Sequence, residues 1–311
     1  MTTRTRIARI AAAVLLAAPA YAQQPQGITK DPMPPLKQGA GPIVLKMGNE
    51  QGSLQGFTAT WAGGKVAQDQ WAAPAAMPLP TKAEPATLEF LASTGAPRTL
   101  YNWVTAAFSG KSVPQAGEVI RAGGRIEQFS GAVVGEVDFP ELAAGKQKSE
   151  AEFVVRAKGQ WLTGPAVKEA KAPVPPLAKM PPAVSGYRLS LGPVQAASIE
   201  GLDPLTLRPL QPAKITLHTR PPTTEALQKL ATQPKAKQPV GAAKAPGPEG
   251  RLELLGADGR TVFATITLHD VQVEAASPLK PGVLSAVKAA PGLVTLTAAR
   301  ADVAFFPLKM Q

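Results

Sequence analysis

Apolar and polar residues alternate along several segments of this 311-residue chain, as they do in β-strands that bury one face. In the segment GRIEQFSGAVVGEVDFPE, the apolar residues Phe129, Val133, Val137 and Phe139 fall between polar ones. The segment EAEFVVRAKGQW repeats this period and ends at Trp161. These patterns predict antiparallel strands with one buried and one solvated face.

Two segments have helical spacing instead. Leu100, Trp103, Val104 and Phe108 fall on one face of the first predicted helix, and Gly110 supplies its stop. The apolar residues of the second are Leu227, Leu230 and Ala231, with Thr223 or Thr224 at its start. The other apolar runs are short and separated by turns, because the chain has 33 prolines and 28 glycines. We therefore expect a mainly β protein in which helix is the minority.

The first of these strand segments has a counterpart, GRTVFATITLHDVQVE, in the second half of the chain. Pairing Phe129 with Phe263 also pairs Val137 with Val271, at one offset of 134 residues. The order strand, strand, strand, helix, hairpin, strand occurs in both halves, which predicts an internal duplication. In the second copy the alternation changes phase before Val271, which predicts a bulge or a doubly buried section near His269.

Stretches rich in proline divide the chain. We place the first domain at 41–165 and the second at 186–311, with a Pro-rich linker at 166–185 between them. Residues 23–40 have the composition of a disordered or loosely attached arm. The segment 233–249 is a basic Pro/Ala loop without aromatic residues, so we interpret it as solvated rather than as a contact with nucleic acid or membrane.

The first 22 residues have the pattern of a secretory signal peptide. Arg4, Arg6 and Arg9 precede an apolar run that is too short to span a bilayer, and Ala20-Tyr21-Ala22 provides a small-x-small cleavage site. No later stretch approaches the ~20 apolar residues of a membrane helix. We therefore expect a protein without an integral membrane segment that is secreted to the periplasm or beyond the cell.

Composition narrows the possible chemistry. The chain has no cysteine, which excludes disulfides, thiol catalysis and thiolate metal sites. The formal charge of +11 falls to +8 once the three arginines of the predicted signal peptide are removed. The remaining excess lies in the second domain and mostly in the basic loop, so charge alone does not indicate a nucleic-acid partner.

Several motifs together resemble a known family. A strand leads to Leu100-Tyr101-Asn102-Trp103, a hairpin with Phe129 follows, and Pro140-Glu141-Leu142-Ala143-Ala144 precedes the last long strand. In the second copy, Ala257-Asp258-Gly259-Arg260 forms the hairpin turn before Phe263. This arrangement resembles the tail tube proteins of contractile phages and their relative, the haemolysin-coregulated tube protein of type VI secretion.

The resemblance implies two tandem β-barrel or sandwich domains, each with one short flanking α-helix. It also implies rings: family members with one domain form hexamers, so a chain with two domains would need three copies for a pseudo-sixfold ring. The expected partner is then a second copy or a related tube-like protein. The predicted signal peptide departs from the family, whose members assemble in the cytoplasm, so a secreted relative with a different role fits both observations.

Few residues are suited to catalysis. His218 and His269 do not have the spacing of metal ligands, and Asp270 beside His269 would point to the opposite face of a strand. Glu136 and Asp138 could act as paired carboxylates, but alternating acids are common on the wet face of a strand. We therefore expect no enzyme activity and no cofactor.

Trp61 and Trp71 flank the glycine-containing segment WAGGKVAQDQW and are the best candidates for an exposed contact surface. They support an alternative to the structural assembly, namely a monomeric periplasmic or extracellular module that binds a glycan, a cell-envelope component or a protein.

Overall fold

The computed structural model describes residues 43–62, 64–66, 82–92, 95–121, 126–139, 141–143, 146–147, 153–163, 184–232, 247–256, 258–278 and 292–306. The predicted signal peptide, the arm, Trp71 and nearly all of the linker and basic loop lie outside these residues. The described part of the chain contains two α-helices and otherwise β-strands, so the prediction of a mainly β fold is confirmed.

The elements of the first half are β1 Ile43–Met47, β2 Glu50–Leu54, β3 Gly56–Trp61, β4 Gly64–Val66, β5 Glu84–Ala92, α1 Arg98–Phe108, β6 Gln115–Ile120, β7 Ile126–Phe139, β8 Leu142–Ala143, β9 Lys146–Gln147 and β10 Phe153–Thr163. Those of the second half are β11 Gly186–Leu191, β12 Val194–Leu202, β13 Leu205–Leu207, β14 Ala213–Thr219, α2 Pro221–Thr232, β15 Gly250–Leu255, β16 Val262–His269, β17 Gln272–Pro278, β18 Gly292–Ala298 and β19 Arg300–Phe305.

The antiparallel strands of the first half form a cycle of pairings. β1 pairs with β2 and β6, β6 with β7, β7 with β10, β10 with β5, and β5 with β3. Because β2 and β3 are separated only by Gln55, they act as one bent strand and return the cycle to β1. We call this set of strands barrel 1.

The second half repeats the cycle. β11 pairs with β12 and β15, β15 with β16, β16 with β19, β18 with β14, and β14 with β12. β18 and β19 are separated only by Ala299, so the cycle again returns to its first strand. This is barrel 2. Two β domains of the same strand order, each with a helix before the hairpin, are therefore present as predicted.

The correspondence between the barrels differs from the one suggested by the sequence. When the β1–β2 turn is matched with the β11–β12 turn, the strand pairings match β6 with β15 and β7 with β16. Gly131 then corresponds to Asp270, an offset of 139 residues rather than 134. Both residues have a positive φ, 60° and 53°, so both barrels have an irregularity at the same place, which confirms the one predicted near His269. Phe129 is not the structural equivalent of Phe263, because the second hairpin is the longer one.

The two halves exchange strands. β13 of the second half pairs with β7, with Leu205 opposite Phe139, and β8 of the first half pairs with β12, with Leu142 opposite Leu202. Both pairings belong to one antiparallel register. Leu142 comes three residues after Phe139, and its partner Leu202 comes three residues before Leu205. Each sheet therefore contains a short strand from the other half.

A buried aromatic cluster joins the barrels beside this exchange. The Tyr101 ring lies 5.8 Å from Phe153 of its own half and 5.9 and 5.4 Å from Phe263 and Phe305 of the other half. Phe153 and Phe305 are 4.6 Å apart. The buried residues of both halves form one continuous core. The two helices have 11 and 12 residues, and no helix among the described residues has the length and apolar character to cross a membrane.

Candidate functional site

The residues that carried the family resemblance occupy packing positions. Leu100, Trp103, Phe129 and Phe263 are all buried in the common core. The Trp103 indole Nε1 donates a hydrogen bond to the Val113 carbonyl at 3.1 Å, so its polar atom is satisfied. Of the Pro-x-Leu-x-Ala segment, Leu142 lies in β8, whereas Pro140 lies outside the described residues.

Asp258 and Gly259 form the turn between β15 and β16, as expected. The Asp258 carboxylate accepts hydrogen bonds from the backbone N–H groups of Arg260 and Thr261 at 2.9 and 2.8 Å and from the Thr261 hydroxyl at 2.5 Å. The Thr261 hydroxyl, followed by these N–H groups, lowers the pKa of Asp258 to about 2. Gly259 has a φ of 65°, which glycine adopts without strain.

Trp61 does not form an exposed contact surface. It is 7% exposed, and its ring lies 4.8 Å from that of the buried Trp161. Trp61 ends β3, where the alternation turns its side chain inward. The glycines that follow Trp61 in the sequence predict a turn, but they do not indicate which face of the preceding strand is buried.

The acids Glu136 and Asp138 lie at the junction between the halves. Arg156 donates to Glu136 at 2.6 Å and also binds Asp138, while Arg208 of the second half donates to the other Glu136 oxygen at 3.1 Å. The Thr206 hydroxyl donates to Asp138 at 2.5 Å. All four carboxylate oxygens therefore have a partner, and the pair fastens β13 to β7.

The two acids differ in their pKa. Burial alone raises the pKa of Glu136, but the hydrogen bonds and charges of Arg156 and Arg208 outweigh it, so the pKa lies below the ordinary value. Burial raises the pKa of Asp138 above its ordinary value despite the Thr206 hydrogen bond and the Arg156 charge. Such a divergence is also found in catalytic pairs, but here each oxygen is engaged in holding the strands together.

The two histidines bind carboxylates separately. The Nε2 of His218 lies 2.8 Å from Asp203, and the Nε2 of His269 lies 2.8 Å from Asp302. Asp270 accepts a hydrogen bond from the Gly247 N–H at 2.7 Å. The described residues contain no group of three or more histidines and carboxylates arranged to hold a metal ion.

The outer face of barrel 2 forms a cleft of about 470 Å³. It crosses β11, β15, β16 and β19 and reaches Phe306. The residues that line it are Ser190, Leu191, Gly192, Gln195, Glu249, Gly250, Arg251, Thr265, Thr267, Ala304 and Phe306. We call it the barrel 2 cleft.

Barrel 1 has a cleft of about 500 Å³ over the corresponding strands, β1, β6, β7 and β10. There Gln128 donates to Glu118 at 3.2 Å, and Lys46 lies 3.6 Å from the same carboxylate. Leu162 and the buried Phe129 are among the residues that line it, whereas the barrel 2 cleft has the exposed Phe306. The repeated topology therefore gives two related clefts with different chemistry.

Neither cleft nor the junction network could be predicted from the periodicity of the sequence. Alternation predicted that the outward residues of each strand are polar. It could not predict that the strands of Thr265 and Asp302 lie side by side, because that pairing is set by the fold. A signal was available in the pair Phe305-Phe306, where an exposed aromatic residue follows β19.

No protein-family model matches this chain, and a comparison with curated proteins finds no significant match.

Proposed function

We propose that this chain is a non-enzymatic structural protein resembling tail tube subunits, in which two fused barrels form the repeating unit of a ring. The supporting observation is a head-to-tail contact inside the chain. Helix α1 of the first half lies against β19 of the second half, whereas α2 lies against β17 and β18 of its own barrel. Heterologous contacts of this kind close into rings when the rotation permits, and three chains would give pseudo-sixfold symmetry.

The contact between chains would be polar. In α2 the residues Glu225, Gln228 and Lys229 are exposed. The large hydrophobic residues exposed on the described surface are Val113, Val133, Leu210 and Phe306. Because polar contacts are screened by salt, we expect assembly at high protein concentration and low ionic strength rather than an obligate oligomer.

Light scattering and negative-stain microscopy of the mature chain, from Gln23 onward, test this proposal. Trimers and rings with threefold or sixfold views would support it. Lys229→Glu on α2 should reduce assembly, whereas Lys111→Glu, at an exposed position just after α1, serves as the matched control. A monomer at every concentration and salt condition would refute the ring.

The proposed location is the periplasm or the outside of the cell, on the basis of the signal-peptide pattern. N-terminal sequencing of the protein recovered from the periplasm should read from Gln23. Recovery of an intact Met1 terminus in the cytoplasm would contradict this location.

A monomeric secreted binding module is the second candidate. The barrel 2 cleft favours it, because two buried polar atoms on that face lack partners in the described structure. A monomer that binds a soluble ligand would support this candidate over the ring.

A further inference from the structure

Four strands of barrel 2 present a polar outer surface in two cross-strand rows. The first row is Ser190, Arg251, Thr267 and Asp302, and the second is Arg188, Glu253, Thr265 and Ala304. The residues between them along each strand, such as Leu252, Ile266 and Val303, are buried in the core. The strand pairing therefore fixes the spacing of these outward side chains.

The charges on this face balance one another. Arg188 and Arg251 both bind Glu253, with distances of 2.6 and 2.9 Å. Arg300 binds Asp302 at 3.1 Å, and Glu249 contacts the Nδ1 of His269 at 3.1 Å. Three arginines thus accompany three carboxylates. A surface with paired charges does not select a strongly charged ligand, but it offers many donors and acceptors.

Two polar atoms on the face lack a partner. The hydroxyl of Thr265, a residue only 6% exposed, and the Oδ1 of Asp302 are buried and make no hydrogen bond among the described residues. Folded proteins contain few such groups, because a buried polar atom that loses its hydrogen bonds to water without replacing them is costly. Thr265 lines the cleft, and a molecule bound there reaches its buried hydroxyl only when the side chain rotates.

An aromatic ring borders the same cleft. Phe306 is 48% exposed, and its backbone N–H donates to the Phe263 carbonyl at 2.7 Å, which fixes the chain at that point. An exposed aromatic face beside an unpartnered hydroxyl suits a ligand with an apolar ring face and hydroxyls at its edge.

We propose that the barrel 2 cleft binds a short neutral saccharide, which stacks on Phe306 and hydrogen-bonds to Thr265. This proposal deepens the binding-module candidate and does not depend on ring formation. Barrel 1 provides an internal comparison, since the aromatic residue that lines its cleft, Phe129, is buried, and its lining contains none of the unpartnered buried atoms.

Isothermal titration calorimetry of the mature full-length chain with cellotriose, maltotriose and chitotriose tests the proposal, with trigalacturonate as the anionic comparison. We expect at least one neutral trisaccharide to bind. Phe306→Ala should weaken binding about tenfold or more, and Thr265→Val about three- to tenfold, as expected for one lost hydrogen bond. Ser130→Ala, on the barrel 1 face, should leave the affinity unchanged.

Thr265→Val has a second readout, because valine keeps the shape and removes an unpartnered hydroxyl. The variant should unfold at an equal or higher denaturant concentration while losing affinity, which separates loss of the site from loss of the fold. Binding of no neutral trisaccharide, preference for trigalacturonate, or affinity unaffected by Phe306→Ala would each overturn the proposal. Rings that bind no sugar would overturn the saccharide proposal and leave the ring proposal standing. A monomer that binds sugar would support the saccharide proposal and refute the ring.

Discussion

The two barrels share a strand order but are stabilised differently, and their helices show this most clearly. Helix α1 buries Leu100, Tyr101, Trp103, Val104, Ala107 and Phe108, whereas the buried residues of α2 are Thr224 and Leu227. Helix α1 is covered on two sides because it lies between its own barrel and β19. Equivalent positions in a repeated fold can thus differ in burial when only one of them lies at the junction.

The hairpins differ in the same way. The loop between β6 and β7 is bordered by a buried ion pair, in which the Arg121 Nε donates to Glu127 at 2.8 Å. Arg121 also donates to the Phe57 carbonyl at 3.2 Å and lies over the Phe57 ring. The loop between β15 and β16 instead depends on the exposed Asp258. The β6–β7 hairpin of barrel 1 is therefore stabilised by buried contacts, whereas the β15–β16 hairpin of barrel 2 is stabilised by hydrogen bonds within its exposed turn.

The largest expected effect comes from the helix at the junction. Tyr101→Ala removes a ring that is 1% exposed and contacts both barrels, so the free energy of unfolding should fall by about 3–5 kcal/mol. Gln228→Ala, at an exposed position of α2, should change it by less than about 0.5 kcal/mol. Urea titrations followed by circular dichroism would measure both. Equal effects would remove the distinction between the helices.

The buried ion pair should have the next largest effect. Glu127→Gln removes the buried carboxylate that pairs with Arg121 and should lower the free energy of unfolding by about 3 kcal/mol or more. The double variant Arg121→Met with Glu127→Leu removes both charges and should recover most of this loss. Failure of the double variant to recover stability would indicate that the Phe57 contacts, not the charges, dominate.

The irregularity shared by both barrels should have a smaller effect. At Gly131 an added Cβ would meet no atom within 4 Å, so Gly131→Ala tests only the positive φ. We expect a loss of about 1–2 kcal/mol, and Gly131→Asn should lose less because asparagine tolerates this conformation. Identical losses for alanine and asparagine in thermal unfolding would contradict a backbone cause.

The smallest effect should come from the exposed turn of barrel 2, and it depends on pH. The pKa of Asp258 is about 2 in the folded protein and about 3.9 in an unfolded chain. The carboxylate therefore stabilises the fold above about pH 4, and this contribution is lost as the pH falls toward 2. The stability difference between the native chain and Asp258→Asn should shrink over this window, as measured by denaturant midpoints at each pH. A constant difference would contradict it.

The sequence alone determined the local elements. Alternation at Phe129 and Val137 specified a strand with one buried face, and helical spacing at Leu100 and Trp103 specified α1, because both periods are properties of the backbone. The turn at Asp258 was also readable, since its carboxylate binds the neighbouring N–H groups.

Only the tertiary structure decided which elements meet. The exchange of β8 and β13, the burial of Trp61 against Trp161 and the ion pairs between Glu136 and Arg208 join residues far apart in the chain. The barrel 2 cleft likewise combines β11, β15, β16 and β19. Local periodicity indicates which face of a strand is apolar, but it does not indicate which other strands pair with that strand. Pairing between distant strands is determined by closure of the sheet and by packing of the common core.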